Sequence, residues 1–196
     1  RDVPVVLDAE KDRPHLKDLL PLADYIICNR HFPSAFTGSD DREVAICQLL
    51  GQGRARLVAT TLGADGCIVE EQPWHGYGDL SLPLGCPMGV KTAVRSEDGA
   101  DIPADTRQAR GSSFRYMWAP SWPVQSSEIV DTTGAGDCFI AGFMYGMTHR
   151  LGISRTLALA SYVSAKKLHQ PGARQGVPTL AQLQQEWPGL LLPSYK

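Results

Sequence analysis

The chain has 196 residues, 43% hydrophobic and 20% charged, and a net charge of −2 from 19 basic and 21 acidic side chains. It is long enough to bury a core, it offers no cationic surface or aromatic platform motif for nucleic acid, and no apolar run nears the roughly 18 residues that span a membrane. Five cysteines, at 28, 47, 67, 86 and 138, lack CxxC spacing and are odd in number, which argues against a disulfide framework or structural zinc and for a reducing, cytoplasmic setting. The scattered histidines read as surface or capping residues rather than metal ligands.

In chain order, residues 3–7 read as a strand, 14–22 as a helix with Leu16, Leu19 and Leu20 apolar, and 25–28 as a strand. A helix over 40–50 follows, capped by Asp40 or Asp41, with Val44, Ile46, Leu49 and Leu50 apolar and Gly51 and Gly53 ending it. With a strand over 56–61, the alternation predicts a parallel sheet covered by helices. TLGADG, with Gly63 and Gly66, is compatible with a hairpin turn between strands 56–61 and 67–70. Residues 72–127 hold six prolines, three tryptophans and many glycines without a sustained period; they read as a long insertion in a hairpin, which Trp74, Trp118 and Trp122 could anchor. Ile129 and Val130 read as a strand end. Helices are predicted over 136–148 and 154–169, the second starting near Ser154, and a short one from Thr179, whose spacing to Gln182 is that of a capping box.

The segment DTTGAGDCF, Asp131 to Phe139, puts glycines and one acid where a helix begins. The first N–H groups of a helix lack intrahelical partners and the peptide dipoles add roughly half a positive charge, so an anion is favoured there, and glycine lets it come close. Asp137 can be a dipole-favoured surface acid, or it can take a proton from a hydroxyl while the loop amides hold the phosphoryl group being transferred. A Walker GxxxxGK[ST] pattern is absent, and the third glycine of a dinucleotide GxGxxG would fall at Phe139.

DTTGAGD followed by a helix of small and aromatic residues resembles the C-terminal signature of the ribokinase/PfkB family of sugar and nucleoside kinases. Three more segments match in the family's order. Asn29 resembles the phosphate-contacting asparagine of the NxxE motif, TLGADG resembles the strand and turn that touch the nucleotide phosphates, and PGARQGVP, residues 171–178, resembles the loop that closes over the nucleotide and helps hold a monovalent cation. The resemblance implies a ribokinase-like α/β fold, a mainly parallel sheet flanked by helices. Residues 1–196 would be the C-terminal part of a single kinase domain with an insertion at 72–127, the N-terminal part and lid being missing. The implied activity is ATP-dependent phosphorylation of a sugar hydroxyl, with Asp137 as base, Gly134, Ala135 and Gly136 as anion hole, and Mg²⁺ carried with the nucleotide. Asn29, Thr61, Gly63, Gly66, Ser161 and Gly172 would line the nucleotide, and Asp131, Thr133 and Gly172 would hold a monovalent cation, K⁺. The implied partners are a small-molecule sugar and a second copy or another chain supplying the N-terminal part, with neither nucleic acid nor membrane. DAEKDRP and VSAKKL are similar to ketohexokinase-like members, a lean toward ketoses over nucleosides.

The chain also departs from the family pattern. In NRHF the glutamate of NxxE is replaced by Phe32, which removes a water-mediated hold on Mg²⁺. Ser161 and Tyr162 stand where many relatives carry an asparagine and a small residue beside the adenine, and Gly176 lacks a side chain near the cation. Two readings therefore stand: a kinase portion that needs its N-terminal part to bind sugar, and a non-catalytic nucleotide-binding or scaffold protein. A nucleoside kinase is the remaining alternative.

Overall fold

The computed structural model describes residues 3–72, 88, 91–96, 101–102 and 113–191. They fall into two compact units, one within Arg1–Gly63, Cys67–Gly76 and Lys91–Trp118, the other within Ala64–Gly66, Tyr77–Val90 and Ala119–Lys196.

The first unit holds β1 (Val6–Ala9), α1 (Leu16–Leu19) continuing into a 3-10 turn (Leu20–Leu22), β2 (Tyr25–Asn29), α2 (Phe32–Thr37), α3 (Arg42–Leu50), β3 (Leu57–Thr61), β4 (Cys67–Glu71), β5 (Lys91–Ser96), β6 (Asp101–Ile102) and β7 (Ser113–Ala119). The strands form one sheet in the order β1-β2-β3-β4-β7-β5-β6. β1, β2 and β3 are parallel, with Asp8 opposite Ile27 and Ile27 opposite Ala59. β4 returns antiparallel on β3, Thr61 facing Cys67, and β5 is antiparallel to both β6 and β7. The α/β expectation holds, and the sheet is mixed: three parallel strands joined by helical crossovers, then antiparallel pairings.

β2, YIICN, is a nearly continuous apolar run, as suits a parallel strand covered on both faces. Ile26 and Cys28 join Val58 and Ile68 in a core against Leu16, Leu20, Ile46, Leu49 and Leu50, while Ile27 on the opposite face is also buried. Asp41 caps α3, its carboxylate accepting the Glu43 and Val44 N–H groups at 2.9 and 3.1 Å. Trp118 packs against this core; Trp74 lies outside the described residues. The strands β5, β6 and β7 sit inside 72–127, where the sequence shows no usable period, because short strands with mixed neighbours leave no alternation to read.

The second unit is built on α4 (Ala135–Thr148), α5 (Ile153–Lys167) and α6 (Leu180–Glu186), with 3-10 turns at Ser126–Glu128 and Pro188–Leu191. α4 and α5 approach closely: a Cβ on Gly142 would lie 2.7 Å from Ala160 Cα, and one on Gly146 2.5 Å from Thr156 Oγ1. Thr179 and Gln182 form the capping box expected at α6.

One local expectation is corrected, one holds to within a residue, and one helix is new. Ile129 and Val130 form no strand; they are exposed, and the Val130 N–H is taken by the Leu168 carbonyl at 2.8 Å, past the end of α5. α5 starts at Ile153 behind Gly152, next to the Ser154 expected near its start, and Ser154 is buried. The helix α2 is unforeseen, since its six residues, FPSAFT, are too few to show a helical period.

Candidate functional site

The geometry of residues 131–137 is set by hydrogen bonds to the main chain. Asp131 Oδ1 accepts the Thr133 N–H at 2.9 Å, and Oδ2 accepts the Gly172 N–H at 2.7 Å. The Thr133 amide, then its hydroxyl and the Gly172 amide, favour the ionised form and hold the Asp131 carboxyl down at about 2. One carboxylate thus fastens the loop before α4 to the loop after α5. Gly134, the N-cap of α4, has φ 77°, and a Cβ on it would lie 2.9 Å from the Ala173 carbonyl oxygen. Conformation and contact both demand glycine there.

The clamp presents the first turn of α4. Gly136 and Asp137 are exposed while Cys138 is buried, and Ser164 Oγ donates to the Ala135 carbonyl at 2.9 Å, fixing this turn to α5. A Cβ on Gly136 would meet nothing within 4 Å. The Ala135 N–H is taken by the Thr132 carbonyl at 3.1 Å, whereas the Gly136 and Asp137 N–H groups have no hydrogen-bond partner among the described residues; with the positive end of a 14-residue helix and open space over a glycine, they form a cradle that fits an anion such as a phosphoryl group. Asp137 stands in that same turn, with no hydrogen bond among the described residues, free to accept a proton.

Lys167, in the last turn of α5, is a component the sequence did not single out. Its side chain is fully buried, and its Nζ donates to the Asp131 carbonyl at 2.6 Å and the Gln170 carbonyl at 3.4 Å, 3.9 Å from Asp131 Oδ2. In VSAKKL it looks like an ordinary C-terminal helix cation, and the one available signal is an otherwise well-covered helix.

Among the other residues read from sequence, Ser161, Gly66, Asp131, Thr133 and Gly172 belong to the second unit with the α4 turn, and Asn29, Thr61 and Gly63 to the first. Asn29 Oδ1 accepts the His31 and Phe32 N–H groups at 3.0 Å each, while its amide donates to the Glu10 carbonyl at 2.9 Å. Its side chain thus starts α2. Thr61 Oγ1 donates to the Cys28 carbonyl at 3.3 Å. Gly63 begins a 3-10 turn, Gly63–Asp65, in the β3–β4 connection, with φ 65°, and Gly66 has φ 91°. The hairpin alternative for TLGADG is thus realised as geometry.

Ser161 is buried and its Oγ accepts the Trp122 N–H at 2.6 Å. Next to it, Tyr162 packs edge-on to Trp122 and Trp187 at 4.8 and 6.5 Å between ring centres, and its hydroxyl donates to Glu186. Burial and the Glu186 carboxylate push that phenol up. Phe32 is buried and stacked on Phe36 at 5.4 Å. Among the described residues no three His, Cys, Asp or Glu side chains are grouped to hold a metal, and Cys28, Cys47, Cys67 and Cys138 are buried and in no disulfide. Cys86 lies outside the described residues.

Comparison with known proteins adds a family. The pfkB family carbohydrate kinase profile matches residues 1–78 and 120–180. An uncharacterized sugar kinase of Archaeoglobus fulgidus is 47% identical over 53 residues, 27% of this chain and 21% of the relative. The ATP-dependent 6-phosphofructokinase of Thermoanaerobacterium thermosaccharolyticum is 29% identical over 168 residues, 86% of this chain and 38% of the relative. Among solved structures, Arabidopsis thaliana ribokinase complexed with ribose and ATP superposes with a TM-score of 0.61 at 20% identity, over 99% of this chain and 48% of that one. The chain spans less than half the length of each of these proteins. With a ribokinase-like fold and a family match across most of its length, this chain belongs to the pfkB family of carbohydrate kinases.

Proposed function

We propose that the chain carries the phosphoryl-transfer site of an ATP-dependent sugar kinase, with Asp137 as the general base and the turn of Gly134, Ala135 and Gly136 as the anion hole, the Ala135 amide itself being held by the Thr132 carbonyl. The observation that carries this reading is the first turn of α4: an exposed acid and an open glycine, held by Asp131 and by the close approach of Gly134 to Ala173. Bound ATP with Mg²⁺ supplies the phosphoryl group and neutralises its charge. Asp137 accepts the proton of the attacking hydroxyl, and the helix-start amides stabilise negative charge where it accumulates; each contribution is worth about 10² to 10³ in rate or more.

Asn29, Thr61, Gly63, Gly66, Ser161 and Gly172 are proposed around the nucleotide. Asn29 and Ser161 would act there through the backbone they hold in place, since their side-chain atoms already have partners. Mg²⁺ would arrive with the nucleotide, position 32 offering it no carboxylate. A K⁺ ion at Asp131, Thr133 and Gly172 fits poorly, because the buried Lys167 ammonium already faces the Asp131 carboxylate. The substrate class we propose is a small sugar; DAEKDRP and VSAKKL support a ketose. Among the described residues no helix is long and apolar enough to cross a membrane; the cytoplasmic setting proposed here rests on the cysteine usage of the sequence.

A second reading, a nucleotide-binding protein without turnover, is favoured by Phe32, an apolar and buried side chain at the position where the family resemblance implies a glutamate.

Calorimetric titration of ATP and Mg²⁺, followed by ADP release across a sugar panel, separates the two. Gly136 is helical and its Cβ direction is open, so Gly136→Trp should keep the fold and block the cradle. Binding lost in Gly136→Trp but kept in Asp137→Asn, with sugar-dependent ADP release falling about 10²- to 10⁴-fold in Asp137→Asn, is expected. Binding without turnover in the parent favours the second reading, and no binding by the folded chain removes both.

A further inference from the structure

We propose that Lys167 is a built-in cation that replaces an exchangeable monovalent ion in holding the Asp131 and Gln170 loops together, so that the cradle at α4 forms without K⁺. Its consequence for nucleotide binding rests on the phosphoryl-transfer reading; the tether itself does not.

Taking an ammonium out of water costs several kcal/mol unless its protons and charge are answered. Here they are answered by oxygen alone. Two of the three protons go to the carbonyl oxygens of Asp131 and Gln170, and the ionised Asp131 carboxylate lies 3.9 Å away. Carbonyl and carboxylate oxygens are the donors that hard cations choose. An ammonium and an alkali ion sharing them would repel at close range, so the buried one excludes the other.

The placement also has a mechanical effect. Lys167 ends α5, where the helix dipole favours a cation. From there it grips the main chain of Asp131, three residues before the Gly134 cap. Asp131 in turn holds Gly172, and Gly134 packs on Ala173. One covalently attached charge thus joins the two loops that set the start of α4. Lys167 is a positioning residue, since nothing here requires it to touch substrate.

The distinguishing readout is ion specificity. Thermal unfolding and ATP–Mg²⁺ calorimetry of the full chain would be run in KCl and in tetramethylammonium chloride at matched ionic strength, for the parent and for Lys167→Met, which keeps most of the aliphatic stem. The parent should behave identically in both salts. Lys167→Met should unfold about 5 °C lower or more in tetramethylammonium, bind ATP about tenfold more weakly, and recover a large part of both losses in K⁺ alone. Folding of Lys167→Met only in K⁺ would support the same conclusion. A K⁺-specific gain in the parent, or a Lys167→Met protein that matches the parent in both salts or loses stability that K⁺ does not restore, would overturn it. Absence of ATP binding in the parent, in both salts, removes the kinase reading, while the unfolding temperatures still decide the tether.

Discussion

Charged groups are handled in opposite ways in the two units. In the first, Glu70 and Glu71 at the end of β4 are fully buried and answered by side chains: the Cys47 thiol donates to Glu70 at 3.0 Å, and Arg115 pairs with Glu71. In the second, Asp131 and Lys167 are answered mainly by main-chain amides and carbonyls. The same chemical group consequently moves in opposite directions. Burial pushes the Glu70 carboxyl up to about 7, the Cys47 hydrogen bond opposing and the Asp41 charge adding, whereas amide donors hold Asp131 at about 2. Side-chain pairs inside a sheet govern stability; a charge bonded to main chain governs the path of a loop, which is what an anion cradle needs.

Removing one member of the first unit's pair should have the largest effect. Arg115→Met leaves Glu71 buried without its partner and should cost about 3 kcal/mol or more in denaturant unfolding; adding Glu71→Leu should return much of that. If the single change costs under about 1 kcal/mol, the pair is not what makes Glu71 tolerable in the sheet.

The comparison is sharpened by pH. Glu70 has a folded pKa raised to about 7 from 4.5, so its contribution is fully present below pH 4.5 and is lost as pH rises through 7. The loss should approach about 3 kcal/mol, because each tenfold difference in proton affinity between folded and unfolded chain is worth about 1.4 kcal/mol. Glu70→Gln, which cannot ionise, should therefore gain on the parent between pH 5 and pH 8 in urea unfolding. A stability difference that stays flat with pH would place the carboxylate in water.

Gly134→Ala probes the second unit, adding strain at positive φ and a contact with Ala173. It should destabilise by about 2 kcal/mol and weaken ATP binding, whereas Arg115→Met in the first unit should lower stability and leave binding by the folded fraction unchanged. The smallest effect expected is that of Thr179→Ala, which removes the cap of α6 and should cost about 1 kcal/mol without altering ligand affinity.

Much of this was legible in the chain. The capping box at Thr179, the Asp41 cap and the alternation over 3–61 are local patterns, and local hydrogen bonds or periodic burial make them readable. The glycine turn ahead of α4 was legible for the same reason, since Gly134 and Asp137 lie within one turn. Strands β5 to β7 were not, because the segment that holds them is broken by prolines and glycines and shows no alternation to read. Ile129 and Val130 read as a strand from side chains alone, but a strand needs a neighbouring strand, and here the Val130 amide bonds to the Leu168 carbonyl instead. Nor could spacing show that Asn29 and Ser161 have their side chains committed to the His31, Phe32 and Trp122 backbone.

By itself the sequence determined the caps of α3 and α6, the alternation behind the parallel half of the sheet and the position of the glycine turn before α4, because each is written in residues a few positions apart. Only the tertiary structure decided how that turn is held. Asp131 and Gly172 are 41 residues apart and Lys167 meets Asp131 across 36. A buried ammonium is indistinguishable from an exposed one until the fold removes the water around it.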